Sequence, residues 1–214
     1  GTFSTQKVKK TFLGPNMKTY IFDLDGVLID SKHMMEQSWN LCKLEHELTQ
    51  PFSEYFKYIG LPFRDILTNL GINENHDAIK HSYDKSSIEL MEHCLEFYPD
   101  VEDTLKELKK ENKIAVVTSK TAERTRLILD KLDIEFDYVV SPKVGLRGKP
   151  AQDQILFCMA MCNTDPQDAV YIGDMKVDHW AAQRAGIGFI HAEYGYGKVK
   201  CEHSVNQIKE LISL

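Results

Sequence analysis

The chain has 214 residues, 43% hydrophobic and 27% charged, with 32 acidic against 26 basic side chains and a formal net charge of −6. This balance argues against a nucleic-acid polyanion as the main partner, which needs a basic footprint. It leaves room for a small phosphorylated ligand, which needs only a local cationic site. No stretch approaches the roughly 20 apolar residues of a membrane span, so no membrane partner is expected.

Residues 1–16 lack an apolar signal-peptide core and are read as a leader or cloning remnant ahead of Met17. The five cysteines, Cys42, Cys94, Cys158, Cys162 and Cys201, form no CxxC pair and are expected to be free thiols in a cytoplasmic protein. Cys158 and Cys162 are four apart in an apolar stretch and are read as core thiols rather than metal ligands.

From Lys18 onward the chain alternates short apolar runs with amphipathic stretches. Strands are expected at 18–23, 114–118, 137–140, 169–173 and 187–191, since unbroken apolar runs suit parallel strands covered on both faces. Helices are expected at 101–112, 121–132, 152–162 and 177–185, the last stopped by Gly186, with a final helix at 204–213. Trp180 is expected to pack against the sheet. This order predicts an α/β fold with a doubly wound, mostly parallel sheet.

Residues 31–98 interrupt the alternation. They hold helical patterns around 31–48, 52–58, 63–70 and 74–94, broken by Pro51, by Gly60-Leu61-Pro62 and by Gly71, and no clear strand. They are read as a smaller helical domain inserted after the first strand, leaving 17–30 and 99–214 as the core.

In open α/β sheets the carboxyl ends of the strands bind ligands. Here those ends carry Asp23 and Asp25, Thr118 and Ser119, Lys149 in the loop after the third strand, and Asp174 with Asp178. Two charges 4 Å apart repel by about 4 kcal/mol at an effective dielectric of about 20. Four carboxylates in one pocket therefore call for a cation. Mg²⁺ fits, because it prefers oxygen ligands and leaves room for a substrate phosphate. Lys149 adds a second positive charge, and the set suits phosphoryl chemistry.

Four motifs in order, Asp23-Leu24-Asp25-Gly26, Thr118, Lys149-Pro150 and Gly173-Asp174-Met175-Lys176-Val177-Asp178, resemble the haloacid dehalogenase superfamily over nearly all of 17–214. The insert resembles the helical cap of its phosphoglycolate phosphatase-like branch. The resemblance implies a Rossmann-like core and a Mg²⁺-dependent phosphatase acting on a small phosphorylated metabolite. Asp23 would be the nucleophile, and Asp25 the acid and then the base. Thr118, Ser119 and Lys149 would bind phosphate. Asp23, Asp25 and Asp174 would hold the metal, with Asp178 supporting. In related capped phosphatases a loop near Tyr58–Arg64 reaches the active site, so Arg64 and Lys57 become possible specificity residues.

Asp25 argues for an oxygen leaving group, since halide displacement needs no acid. A phosphotransferase or mutase is the alternative, and a non-catalytic binder a third. Met35 stands where the mutases carry histidine, which counts against the mutase. Arg147, His33 and His179 are left as surface or packing residues.

Overall fold

The computed structural model describes residues 16–214. In chain order, β1 (Thr19–Phe22) leads through a tight turn to β2 (Ile29–Asp30). Four helices follow: α1 (Lys32–His46), α2 (Phe52–Phe56), α3 (Phe63–Asn69) and α4 (His76–Cys94). After β3 (Glu96–Phe97) come α5 (Val101–Lys109), β4 (Lys113–Val117), α6 (Ala122–Leu129) and β5 (Tyr138–Val140). Then α7 (Asp153–Met161), β6 (Ala169–Gly173), α8 (Lys176–Ala185), β7 (Gly188–Ala192), β8 (Ser204–Val205) and a 3-10 helix (Ile208–Ser213) complete the chain.

Six strands form one sheet in the order β5-β4-β1-β6-β7-β8, with every pairing parallel. Successive side chains on a strand point to opposite faces. Tyr20, Phe22, Ile114, Val116, Val170 and Ile172 accordingly join one core with α5, α6 and the 3-10 helix. Ile21, Ala115, Val117 and Tyr171 join the other with α7 and α8. Both faces are covered, which is why the strands read as unbroken apolar runs. The doubly wound α/β expectation holds. Cys158 and Cys162 are buried in the second core.

The helices α1–α4 lie between β2 and β3, which form a separate antiparallel ribbon pairing Ile29 with Phe97 and Asp30 with Glu96. They share their own apolar cluster, including Met35, Trp39, Tyr55, Leu67, Ile79 and Tyr83. Trp39 stacks on Tyr55 at 4.6 Å between ring centroids and donates its indole N–H to Gln50 O at 2.9 Å.

The expected final helix at 204–213 is instead β8 followed by the 3-10 helix. Ile208 and Leu211, three apart, serve a 3-10 turn as well as an α-helix, and both reach the core. β2, β3 and β8 are too short to display an alternating pattern. Trp180 does not pack against the sheet but is 45% exposed, because Asp178, Ala181, Ala182 and Ala185 form the buried face of α8. The reading of residues 1–15 lies outside the described residues. No described helix is long and apolar enough to cross a membrane.

Candidate active site

Neighbouring strands β4, β1 and β6 end at Thr118, Asp23 and Asp174, so the sheet itself delivers these side chains to one edge. The Asp23 amide still donates to Ile172 O at 2.9 Å, which fixes the start of the turn. Lys149, in the loop after β5, is buried among acids. Its Nζ lies 2.7 Å from Asp178 Oδ1, 3.1 Å from Asp23 Oδ1 and 3.1 Å from the Tyr171 hydroxyl. Burial alone would push this ammonium down, but Asp178 and Asp23 outweigh it and hold Lys149 well above the usual lysine range.

Asp178 caps α8, since its Oδ2 accepts from the amides of Asp174 and Met175. Asp174 Oδ2 accepts from the Tyr196 amide at 2.8 Å, while its buried Oδ1 has no hydrogen-bond partner among the described residues. Gly26 admits this packing. Its φ is +80°, and a Cβ there would lie 2.2 Å from Asp174 Oδ2.

Asp23, Asp174 and Asp178 each offer an oxygen within 4.8 Å of the others. Burial pushes the Asp23 carboxyl up to about 7, with Asp178 adding to the rise and Lys149 opposing it. Burial, then Asp178 and Asp23, hold Asp174 well above the carboxylate range. One ammonium against three buried carboxylates, with one orphaned oxygen, is a donor set that fits a hard divalent cation.

Asp25 turns its carboxylate elsewhere. Oδ1 accepts from the Ser31 hydroxyl and lies 3.2 Å from Lys120 Nζ. Burial pushes its carboxyl up, but Lys120, the Ser31 hydrogen bond and Arg124 outweigh that and hold it low. Burial, reinforced by Arg124, pushes Lys120 down to about 8.

A cleft of about 70 Å³ opens between the sheet edge and the helical insertion. Asp23, Asp25, Thr118, Ser119 and Lys149 line its floor. Asp174 and Asp178 stand behind that floor, fully buried. Met35, Tyr55, Phe63, Ile66 and Tyr83 supply an apolar roof. Thr118 Oγ1 accepts from the Lys120 amide at 3.1 Å, and the Ser119 hydroxyl donates to Gly60 O of the insertion at 2.8 Å.

Sequence reasoning did not single out Lys120, Arg124, Lys80 and Asp84, which also line the cleft. Lys120 directly follows Thr118-Ser119, and that adjacency was the available signal. Arg124, Lys80 and Asp84 look like ordinary helix charges. Arg64 is not brought to the cleft. It pairs with Asp77, both side chains exposed, and does not line the cleft. Lys57 is exposed and pairs with Glu54. Arg147 grips Asp153 through two nitrogens, with Nη2 at 2.7 Å from Oδ1. His33 is exposed, and the His179 ring stacks on Phe189.

The family described as haloacid dehalogenase-like hydrolase matches residues 20–192. A phosphoglycolate phosphatase of Aquifex aeolicus is 29% identical over 190 residues, covering 87% of this chain and 89% of that protein. Pyrophosphatase PpaX of Bacillus cereus is 28% identical over 179 residues, covering 79% and 80%. Among solved structures, a haloacid dehalogenase-like family hydrolase from Streptococcus pneumoniae superposes with a TM-score of 0.81 at 19% identity, covering 92% of this chain and 97% of that one.

Proposed function

The chain belongs to the haloacid dehalogenase-like hydrolases and is a phosphatase; from that premise we propose that it hydrolyses a small phosphorylated metabolite, with Mg²⁺, through a phosphoaspartate on Asp23. The observation that carries this reading is the buried bridge of Lys149 between Asp23 and Asp178 at the floor of the cleft. An ammonium in that position serves both the carboxylate that attacks and the phosphate that arrives.

In the proposed first step an Asp23 oxygen attacks phosphorus. The aspartyl–phosphate bond forms as the bond from phosphorus to the leaving oxygen breaks, and Asp25, which must first take up a proton because Lys120 and Ser31 hold its carboxylate ionised in this structure, gives that oxygen its proton. In the second step Asp25 takes a proton from water, the water oxygen bonds to phosphorus, and Asp23 is released with inorganic phosphate. Thr118 and Ser119 contribute the floor against which the phosphate sits. Asp23 and Asp174, with the backbone carbonyl of Asp25, would hold Mg²⁺, whose charge would offset the carboxylates as the phosphate dianion enters. Asp178 orients Lys149 and the start of α8.

Residues 31–98 act as a cap that shields the phosphoaspartate and reads the rest of the substrate. The cap-side cleft supports a substrate with a second anionic end. Among the described residues Lys80 and Arg124 pair with the same carboxylate, Asp84, which leaves positive charge there for a ligand. That spare charge favours a doubly anionic molecule such as 2-phosphoglycolate or pyrophosphate. Release of inorganic phosphate from a panel of these compounds with Mg²⁺ present tests the reading. The compounds with a second anionic end should show the highest kcat/KM, and preference for a sugar phosphate whose only charge is its phosphate would overturn the substrate class.

A further inference from the structure

We propose that Tyr196 is a positioning residue that locks the cap hinge in the closed state and thereby holds Asp25 in place as the acid for the leaving oxygen; this rests on the two-step phosphatase reading above. Tyr196 lies in the loop after β7, outside all four motifs, and nothing in the reaction uses it directly. Three separate parts of the molecule nevertheless meet on it.

Its backbone amide donates to Asp174 Oδ2 at 2.8 Å. Its hydroxyl accepts from the Ser31 amide at 2.6 Å and donates to Asp30 Oδ1 at 3.0 Å, gripping the crossing from core to cap. Its ring stands edge-on to Phe56 of the cap at 5.2 Å between centroids. Ser31, held through its amide, donates its own hydroxyl to Asp25 Oδ1. The chain of contacts therefore runs from the sheet edge, through Tyr196, to the hinge and on to the acid.

The flanking glycines show how closely this loop is seated. A Cβ at Gly195 would lie 2.3 Å from Asp174 Cβ, and one at Gly197 would lie 2.5 Å from Asp174 O. A loop pressed this tightly onto the core cannot follow the cap when it swings. Its hydroxyl is thus a fixed point against which Asp30 and Ser31 dock on closure. An open cap would carry Ser31 away from Tyr196, releasing Asp25 until substrate restores the closed arrangement.

The test compares two small substrates in Tyr196→Phe, which keeps the ring and the amide and removes only the hydroxyl. 2-Phosphoglycolate expels an alkoxide and needs a proton from Asp25. Acetyl phosphate, of similar size, expels acetate and needs none. Because kcat/KM reports steps up to loss of the leaving group, we expect a fall of about tenfold or more for 2-phosphoglycolate and less than about threefold for acetyl phosphate. Ser31→Ala should give the same selective loss, and the double variant should lose little more than either single one.

Hydrogen exchange of the substrate-free enzyme gives a readout independent of turnover. The amide of Ser31 should lose protection in Tyr196→Phe while the amides of β1 and β6 keep theirs. Equal losses on both substrates, or no loss on either, would overturn the proposal. Unchanged protection at Ser31 would overturn it too. A wild-type enzyme inert toward both substrates would instead overturn the phosphatase reading, and the inference with it.

Discussion

Arg124 Nη1 lies 3.2 Å from Asp84 Oδ1, joining a buried guanidinium on α6 of the core to a carboxylate on α4 of the insertion. The guanidinium also sits over the Tyr83 ring, 5.4 Å from its centroid, and its Nε has no hydrogen-bond partner among the described residues. A buried donor left unpaired is costly, so an incoming anion gains by satisfying it.

Arg124→Gln should therefore weaken substrates that carry a second negative charge. A charge-assisted hydrogen bond contributes about 1.5–3 kcal/mol, or roughly 10–100-fold. We expect kcat/KM for 2-phosphoglycolate to fall by that factor relative to acetyl phosphate. The ratio cancels any general loss of stability. An unchanged ratio would show that Arg124 latches the cap without touching the substrate.

The crowded carboxylates make a prediction about stability. Burial, then Asp178 and Asp23, hold Asp174 well above the carboxylate range, and a carboxyl raised on folding costs the metal-free fold stability as pH rises above the unfolded carboxylate range. Asp174→Asn should raise the Tm of the metal-free protein. The wild type should gain Tm on addition of Mg²⁺, and Asp174→Asn should abolish that gain. Scanning calorimetry with chelator and with excess Mg²⁺ measures both, and a metal-free Tm lower than that of the wild type would contradict the first.

Asp23→Asn replaces the proposed nucleophile with a nearly isosteric amide. Turnover should fall below about a hundredth of the wild-type value, and acid-quenched enzyme should show no added phosphate by mass spectrometry. Retained turnover would make water the attacking group.

Arg64→Ala should leave the ranking of substrates unchanged. Its pair with Asp77 lies on the exposed outer side of the insertion, where such pairs contribute about 0–1 kcal/mol. A changed ranking would require Arg64 to swing into the cleft.

Asp153 offers a clean titration away from the cleft. Hydrogen bonds from the Arg147 guanidinium, then from its backbone amide, hold the carboxyl down to about 2. The folded value lies below the unfolded one. The contribution of the pair is therefore complete above about pH 4 and is lost as pH falls toward 2. NMR of the Asp153 carboxyl should give that low midpoint, and Arg147→Ala, which removes the guanidinium but keeps the backbone amide, should raise it only part of the way toward about 3.9.

The sheet was legible because its strands are covered on both faces, so Ile114–Val117 and Ala169–Ile172 stand out as unbroken apolar runs. Asp23, Thr118 and Asp174 were legible because neighbouring parallel strands must end side by side. Lys120 and Arg124 were not, because a helix charge looks the same whether it faces water or a cleft. Trp180 was misplaced for the opposite reason. The spacing of Asp178, Ala181, Ala182 and Ala185 already set the inner face of α8 and left Trp180 outside it. Tyr196 carries no local signal, since its partners at Ser31 and Asp174 come from distant parts of the sequence.

The strand order also governs when the parts of this protein can form. β1 leaves the ribosome first, yet its partners arrive much later, with Thr19 pairing against Lys113 and Ala169. The helices between them find their apolar contacts among themselves, through Trp39, Tyr55 and Tyr83. Once the β2–β3 ribbon closes, the segment from Asp30 to Glu96 ceases to count as a long loop, and bringing β1 to β4 costs less chain entropy. The insertion thus shortens the search for the sheet that it later covers, and destabilising the ribbon should slow refolding of the whole chain rather than of the helices alone.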